Sequence, residues 1–307
     1  MGAVQTLGLY DLEGTSDDWF KSDFIVVWAG NPAYTRIPDA HTLHEARDRG
    51  AKRVVIAPDY SASSIHADYW IHPRPGTDAA LGLAMAQVIL SERLHDEDYV
   101  REQTDLPILV REDTGRYLRD SDLRAGGSEE ILWFWDEATG ALAKVPGCQG
   151  TGGDSIELGT LRPALTGRYP VRLRDGTQVQ VRPALDRLRE QLDRDSTPER
   201  AAAVTGLGAS TIRRIARELA RAPSAMILAS WGACKQDHSD LMQRAAILRM
   251  ALTGNQGRSG GGFRTASWWP VDGGSAFQRT PGLKPPYRVP DPSPWHARQD
   301  SNLRPWD

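Results

Sequence analysis

The sequence predicts an α/β fold, a three-layer body built on a parallel sheet and carrying a β-hairpin insertion. Three observations predict it. Short, mainly apolar runs at 24–29, 53–57 and 225–229, the first rich in β-branched residues, have the pattern of strands buried on both faces. Each run meets a glycine or proline turn and then a helical pattern, the repeating unit of a parallel sheet. The middle of the chain instead shows paired strand-like segments around tight turns.

The first run ends at Gly30-Asn31-Pro32, a turn signal. A helix is expected over 38–49, with Pro38 at its first position and Gly50 ending it. The second strand, 53–57, stops at Pro58-Asp59. Two parallel strands joined by a helix require a right-handed crossover. Both strand ends then lie on one edge, where α/β sheets bind ligands. A third strand, 69–72, runs through Arg74-Pro75-Gly76-Thr77-Asp78 into a helix over 78–92. Leu81, Met85 and Val88 form its apolar stripe, and Thr77 or Asp78 can cap it. These elements make a first α/β segment, 17–105.

The stretch 106–195 reads as an insertion with hairpins at 131–145 and 171–181 and an exposed glycine-rich connection at 147–153. A second α/β segment, 196–280, resumes with a proline-started helix at 198 and an apolar helix face at Ile212, Ile215, Ala216 and Leu219. Strand 225–229, a turn at Trp231-Gly232, a helix over 237–253 and a glycine-rich stretch to Gly262 follow. The proline-rich tail 281–307 has no core-forming pattern and resembles read-through from unrelated sequence.

Composition narrows the function. The apolar set is 40% of 307 residues and glycine adds 29 more, an ordinary globular proportion that excludes disorder and collagen. With 37 basic and 40 acidic side chains, the chain lacks the general basic footprint of a nucleic-acid binder. No apolar run has the length of a membrane span, and the first residues lack a basic segment followed by an apolar one. The two cysteines, Cys148 and Cys234, stand far apart and fit no zinc or iron–sulfur spacing. His66, His72 and His238 have no metal-binding spacing either and read as local hydrogen-bonding residues. No residue is assigned as a metal ligand, general acid or general base.

Three junctions suit a phosphate-bearing ligand: Gly30-Asn31-Pro32, Gly76-Thr77-Asp78 and Gly232-Ala233-Cys234. A helix N-terminus presents free N–H groups and partial positive charge, and glycine lets the backbone come close to an anion. None is a dinucleotide fingerprint or a P-loop, and each also reads as a plain turn. Asp59, after the second strand, suits ribose hydroxyls or a turn. Asp78 suits the N–H edge of a guanine or a helix cap. A rival pattern lies at 201–216, a helix, a glycine turn and a second helix bearing Arg213 and Arg214. It reads as a DNA-binding helix-turn-helix or as an α-hairpin packed on the sheet.

Together the segments resemble the molybdopterin oxidoreductases of the dimethyl sulfoxide reductase family over about residues 17 to 277. The resemblance is carried by Asp18 through Trp28 with Asn31-Pro32, Thr35 through His41, Ala57-Pro58-Asp59-Tyr60, Arg74 through Leu81, and Leu252-Thr253-Gly254-Asn255 with Gly257 and Gly260-Gly261-Gly262. Tyr99-Val100-Arg101 with Thr104 through Pro107 is similar to the branch of nitrate, selenate, chlorate, dimethyl sulfide and ethylbenzene enzymes. The resemblance implies a Rossmann-like body and a bis(molybdopterin guanine dinucleotide) cofactor with molybdenum. The arms of that cofactor are expected at Gly30, Asn31, Pro32, Asp59, Tyr60, Gly76, Thr77 and Asp78. The turn and following helix at Trp231, Gly232, Cys234, Lys235 and His238 are expected to approach it too. Cys234 stands where relatives tend to have asparagine. Trp231, Trp268 and Trp269 are expected to wall a funnel or to fill core.

The family's N-terminal iron–sulfur domain, the upstream aspartate that ligates molybdenum in this branch, and the C-terminal β-barrel domain have no counterpart here. The chain is therefore expected to be an internal fragment of a catalytic subunit, inactive alone. In the parent, oxygen-atom transfer or hydroxylation of a small inorganic or organic substrate is expected, with electrons passing to an iron–sulfur partner subunit. No nucleic acid and no direct membrane span are expected. The location, at the periplasmic or cytoplasmic face of the inner membrane, stays open. A nucleotide-binding module without redox activity is the alternative.

Overall fold

The computed structural model describes residues 2–7, 15–147 and 158–265, apart from the side chains of Val4, Trp231 and Cys234. Cys148, Trp268, Trp269, most of the glycine-rich connection at 147–153 and the tail 281–307 lie outside the described residues.

In chain order, α1 (Gly2–Leu7) and a 3-10 turn over Ser16–Lys21 precede β1 (Phe24–Trp28), the single turn α2 (Pro32–Thr35) and α3 (Ile37–Asp48). Next come β2 (Lys52–Ile56), β3 (Tyr69–Ile71), α4 (Asp78–Ser91) and α5 (Glu97–Gln103). The insertion holds β4 (Leu109–Arg111), α6 (Asp120–Leu123), β5 (Trp133–Asp136), β6 (Ala141–Lys144), β7 (Tyr169–Arg172), β8 (Gln178–Pro183) and α7 (Ala184–Asp195). The second segment supplies α8 (Pro198–Thr205), α9 (Ala209–Arg221), β9 (Ala225–Ala229), α10 (Ser239–Leu252) and β10 (Gly262–Thr265).

Five parallel strands form the main sheet in the order β10-β9-β1-β2-β3. Every residue of β1 and β9 is buried, which explains their uninterrupted apolar runs: both faces are covered. Phe24, Val26 and Trp28 join one core with residues of α4, α8, α9 and α10. Ile25 and Val27 point the other way, into a core with Trp19 and with Leu43 of α3. From β1 the chain moves through β2 to β3 on one side of the sheet; β9 and β10 build the other side. The strand order thus reverses between β1 and β9, the switch point where open α/β sheets form a ligand crevice.

Helix α4 departs from the expected single stripe. Leu81, Gly82, Ala84, Met85, Ala86, Val88, Ile89 and Leu90 are all buried, because α7, α8, α9 and α10 surround it. The expected side-chain cap is absent too. Thr77 Oγ1 donates to the Arg74 carbonyl at 2.6 Å, and Asp78 accepts from Trp28 instead of from its own helix. Helix α10 begins at Ser239 rather than 237, since His238 takes a left-handed conformation with φ 54°.

Both hairpins of the insertion form as expected, but β8 also pairs with β4, which extends the β7–β8 hairpin into a three-stranded antiparallel sheet. The three-residue β4 gave no periodic signal, nor did β10. Helices α5 and α7 were likewise outside the expected elements. The candidate DNA-binding segment is an α-hairpin whose Ile212, Ile215, Ala216 and Leu219 are buried in the main core. Arg213 pairs with Glu199, and the Arg214 guanidinium lies 4.4 Å from the Tyr69 ring centroid.

The hairpin β5–β6 is fixed by one carboxylate. Asp136, 1% exposed, accepts from the N–H groups of Arg162 at 2.8 Å, Thr139 at 3.2 Å and Ala138 at 3.3 Å, and from Thr139 Oγ1 at 2.7 Å. The Arg162 amide, then the Thr139 hydroxyl, hold its pKa below the ordinary carboxylate value. A group with a depressed folded-state pKa stabilises the fold at neutral pH, and the contribution vanishes as pH falls through that value. D136N should therefore lower stability by about 1–3 kcal/mol at pH 7. In urea denaturation the gap to the unaltered chain should close as the pH falls through and below the usual carboxylate range.

Candidate functional site

All five parallel strands end on one edge, and the three junctions found in the sequence lie along it. At the first, Asn31 precedes α2 and accepts from Ser63 Oγ at 2.7 Å, while Ser63 Oγ accepts from the Ala33 N–H at 3.1 Å. The loop after β2 is thereby tied to the turn after β1. Pro32 is buried at the start of α2.

The first and third junctions meet backbone to backbone. A Cβ on Gly30 would lie 2.5 Å from Ser230 Cβ, and one on Gly232 would lie 2.5 Å from the Ala29 carbonyl oxygen. Ala29 itself has φ 51°, a conformation that bends the chain out of β1 at some cost for a residue with a Cβ. At the third junction the turn expected at Trp231-Gly232 separates β9 from α10, as a 3-10 turn over Trp231–Cys234.

The second junction reaches this meeting point from β3. Arg74 anchors it, with Nη1 donating to the carbonyls of Ala203 at 2.9 Å and Val204 at 3.2 Å in the last turn of α8, where a cation also complements the helix dipole. Gly76 turns the chain with φ 82°. Asp78, the first residue of α4, accepts from Trp28 Nε1 at 2.7 Å. No side chain caps the first amides of α4, so they are left for solvent or a ligand.

A narrow cleft of about 10 Å³, room for a single water, joins the second and third junctions, lined among others by Gly76, Asp78, Ala233, Gln236 and His238. A second, water-sized cavity of about 10 Å³ joins the first and third and is lined by Gly30, Pro32 and Ser230 together with Trp19 and Leu228. The Ser230–His238 stretch borders both. Lys235 and His238 are exposed there, and His238 Nε2 stands 3.8 Å from Asp237. Asp59 and Tyr60 lie apart from these two cavities, exposed after β2. Their loop is held by Trp70 Nε1, which donates to the carbonyls of Ala57 and Asp59 at 3.1 Å each. The Tyr60 ring stands edge-on to Trp70 at 5.2 Å. Of the residues expected at the site, the side chains of Trp231 and Cys234 lie outside the described part.

Sequence reasoning missed Trp28, Gln236 and Ser63. Trp28 offered one signal, an indole at the end of a buried strand whose N–H must find an acceptor. Among the described residues no three His, Cys, Asp or Glu side chains gather as a metal site, and no helix is long and apolar enough to cross a membrane.

The two glycine contacts differ in kind. At Gly30 the obstacle is a side-chain carbon, whereas at Gly232 it is a carbonyl of the central strand. Both G30A and G232A should lower stability, by about 1–3 kcal/mol for overpacking. Adding S230G should recover most of the loss in G30A and none in G232A, a coupling that thermal unfolding of the four variants reads directly.

A family model described as molybdopterin oxidoreductase matches residues 5–291. The chain is 42% identical over 291 residues to perchlorate reductase subunit alpha of Dechloromonas aromatica, covering 88% of this chain and 31% of the relative. It is 40% identical to dimethylsulfide dehydrogenase subunit alpha of Rhodovulum sulfidophilum, over 80% of this chain and 26% of the relative. With chlorate reductase subunit alpha of Ideonella dechloratans it shares 37% identity, over 87% of this chain and 29% of the relative. Among solved structures, acetylene hydratase from Pelobacter acetylenicus is similar at a TM-score of 0.47 and 19% identity, over 82% of this chain and 23% of that one. The chain thus spans less than a third of the length of these curated relatives, and over that span it belongs to the molybdopterin oxidoreductase family.

Proposed function

We propose that this chain grips the guanine dinucleotide arms of a bis(molybdopterin guanine dinucleotide) cofactor within a catalytic subunit for oxygen-atom transfer or hydroxylation. The observation that carries the reading is the cleft where the uncapped start of α4 faces the Ala233–His238 stretch at the switch point. Its donor chemistry fits the group. Free amides and the positive end of a 14-residue helix suit a pyrophosphate. Gly76 keeps the approach bare: the nearest atom to a Cβ there would be Gln236 Oε1, at 3.7 Å. The Asp78 carboxylate, half-buried at the mouth, accepts N–H groups such as those of a guanine edge.

In this reading Gly30, Asn31, Pro32, Gly232, Lys235 and His238 flank the arms, and Asp59 with Tyr60 offers contacts to a ribose. When bound, the molybdenum centre supplies the two-electron exchange of oxygen with a small redox substrate. The residues of this chain bind and orient the group and keep its arms in register. The names of the relatives as alpha subunits support a multi-subunit assembly in which an iron–sulfur partner handles electrons.

Guanosine diphosphate combines the purine edge and the pyrophosphate of one arm. Titrated calorimetrically into the 307-residue chain, it should bind saturably and more tightly than adenosine diphosphate. D78N should weaken it roughly tenfold or more, the worth of a hydrogen bond to a charged group. Equal binding of the two nucleotides, or D78N binding as tightly as the unaltered chain, would overturn the assignment.

A further inference from the structure

Among the described residues the most deeply buried charge lies not at the cleft but behind it. Arg249 of α10 is 0% exposed, and neither Nε nor either Nη has a hydrogen-bond partner among the described residues. A guanidinium buried without a carboxylate is unfavourable, and a hydrophobic side chain of similar length packs the same volume without that cost. Room is nonetheless made for it. Gly82 lies in the middle of α4, where glycine weakens a helix, and a Cβ there would collide with Arg249 Nη1. Ala245 keeps the next turn of α10 equally small.

The guanidinium carbon lies 4.7 Å from the ring centroid of Trp28, which is itself 1% exposed. The indole N–H of that same ring donates to Asp78 Oδ1 at 2.7 Å, short for an N–H···O bond. A cation on the face of an indole draws electron density from the ring and makes its N–H a stronger donor, the more so in a dry interior. The charge is therefore coupled through the ring to the carboxylate at the mouth of the cleft.

We infer that Arg249 is a positioning residue: its buried cation polarises Trp28, whose N–H fixes the Asp78 carboxylate at the start of α4. Burial pushes the guanidinium down to about 9, so the cation persists at neutral pH. The contacts stand on the geometry alone. Only the last link, the effect on a nucleotide, rests on the reading of the cleft proposed above.

The test uses the 307-residue chain labelled with 15N-tryptophan and arginine, with the Trp28 indole signal assigned by its loss in W28F. R249M, which keeps length and removes charge, should move the Trp28 N–H proton upfield and speed its exchange with solvent. R249K, which keeps the charge, should restore most of both. Guanosine diphosphate should bind several-fold more weakly to R249M, with R249K closer to the unaltered chain. An indole signal unmoved in R249M, or moved equally by R249M and R249K, would show packing alone and overturn the inference. If R249M fails to fold, the unaltered chain still decides: Arg249 Nε–H must show Overhauser contacts to the Trp28 ring, and D78N must shift the indole proton upfield. Absence of either overturns the relay. An indole response without any nucleotide binding supports the relay and overturns the reading of the cleft instead.

Discussion

At the centre of the sheet Trp28 and Ala229 end neighbouring parallel strands in register, and the chain leaves them in divergent directions. The exits fit only because two glycines allow close approach, Gly232 against the Ala29 carbonyl and Gly30 against the Ser230 Cβ. Larger side chains at either glycine would wedge β1 from β9 and change the angle at which the Ser230–His238 stretch crosses the edge. That stretch borders the cavities on both sides of the sheet. The close approach of two strand ends therefore sets the shape of the whole edge, and the aim of α4 follows from it through the Trp28–Asp78 bond.

The segments that resemble the family divide between the two edges of the sheet, and the division separates the expected site residues from residues that fix the strands. Asn31-Pro32, Ala57 through Tyr60 and Arg74 through Leu81 lie at the carboxyl ends of the strands. Asp18 through Ser22 and Leu252 through Gly262 lie at the opposite end. There Asn255, 1% exposed, accepts from the Ala225 N–H at 2.8 Å and donates to Thr253 Oγ1 at 2.8 Å, fixing the start of β9. Asp18 accepts from the Gly260 N–H at 3.0 Å and from Arg264 at 3.1 Å, locking the entry to β1 onto β10. A motif can thus mark a family strongly and still serve only to hold strands in register.

The parts of the fold legible in the sequence were those with a strong local signal. β1, β2 and β9 are long enough and buried enough to appear as apolar runs, and Gly206 at φ 78° marks the turn between α8 and α9. β4 and β10 were not legible because three or four residues carry no period and their pairing is decided by distant partners. Asp78 shows the limit for an expected site residue. Its position was readable, but a helix-start aspartate ordinarily caps its own helix, and here an indole from another strand claims the carboxylate. Arg249 was illegible for the same reason. An arginine in a helix is expected to reach water, and only the packing of α4 against α10 reveals that it cannot.

The carboxyl edge of the sheet also leaves apolar surface in water. Tyr34 and Ile37, at 69% exposure each, and Tyr60 and Ile65, at 59% each, are among the most exposed large hydrophobic side chains of the described residues, and all follow the carboxyl ends of β1 or β2. The rim of that edge, apart from the cleft itself, is therefore apolar and open to solvent. On such an open rim water strongly screens charges carried by surface side chains. The buried cation behind Trp28 escapes that screening because no water reaches it. A charge placed in the dry layer beneath an open rim can keep a carboxylate oriented where surface charges would be damped, which gives a physical reason for its place beneath the rim.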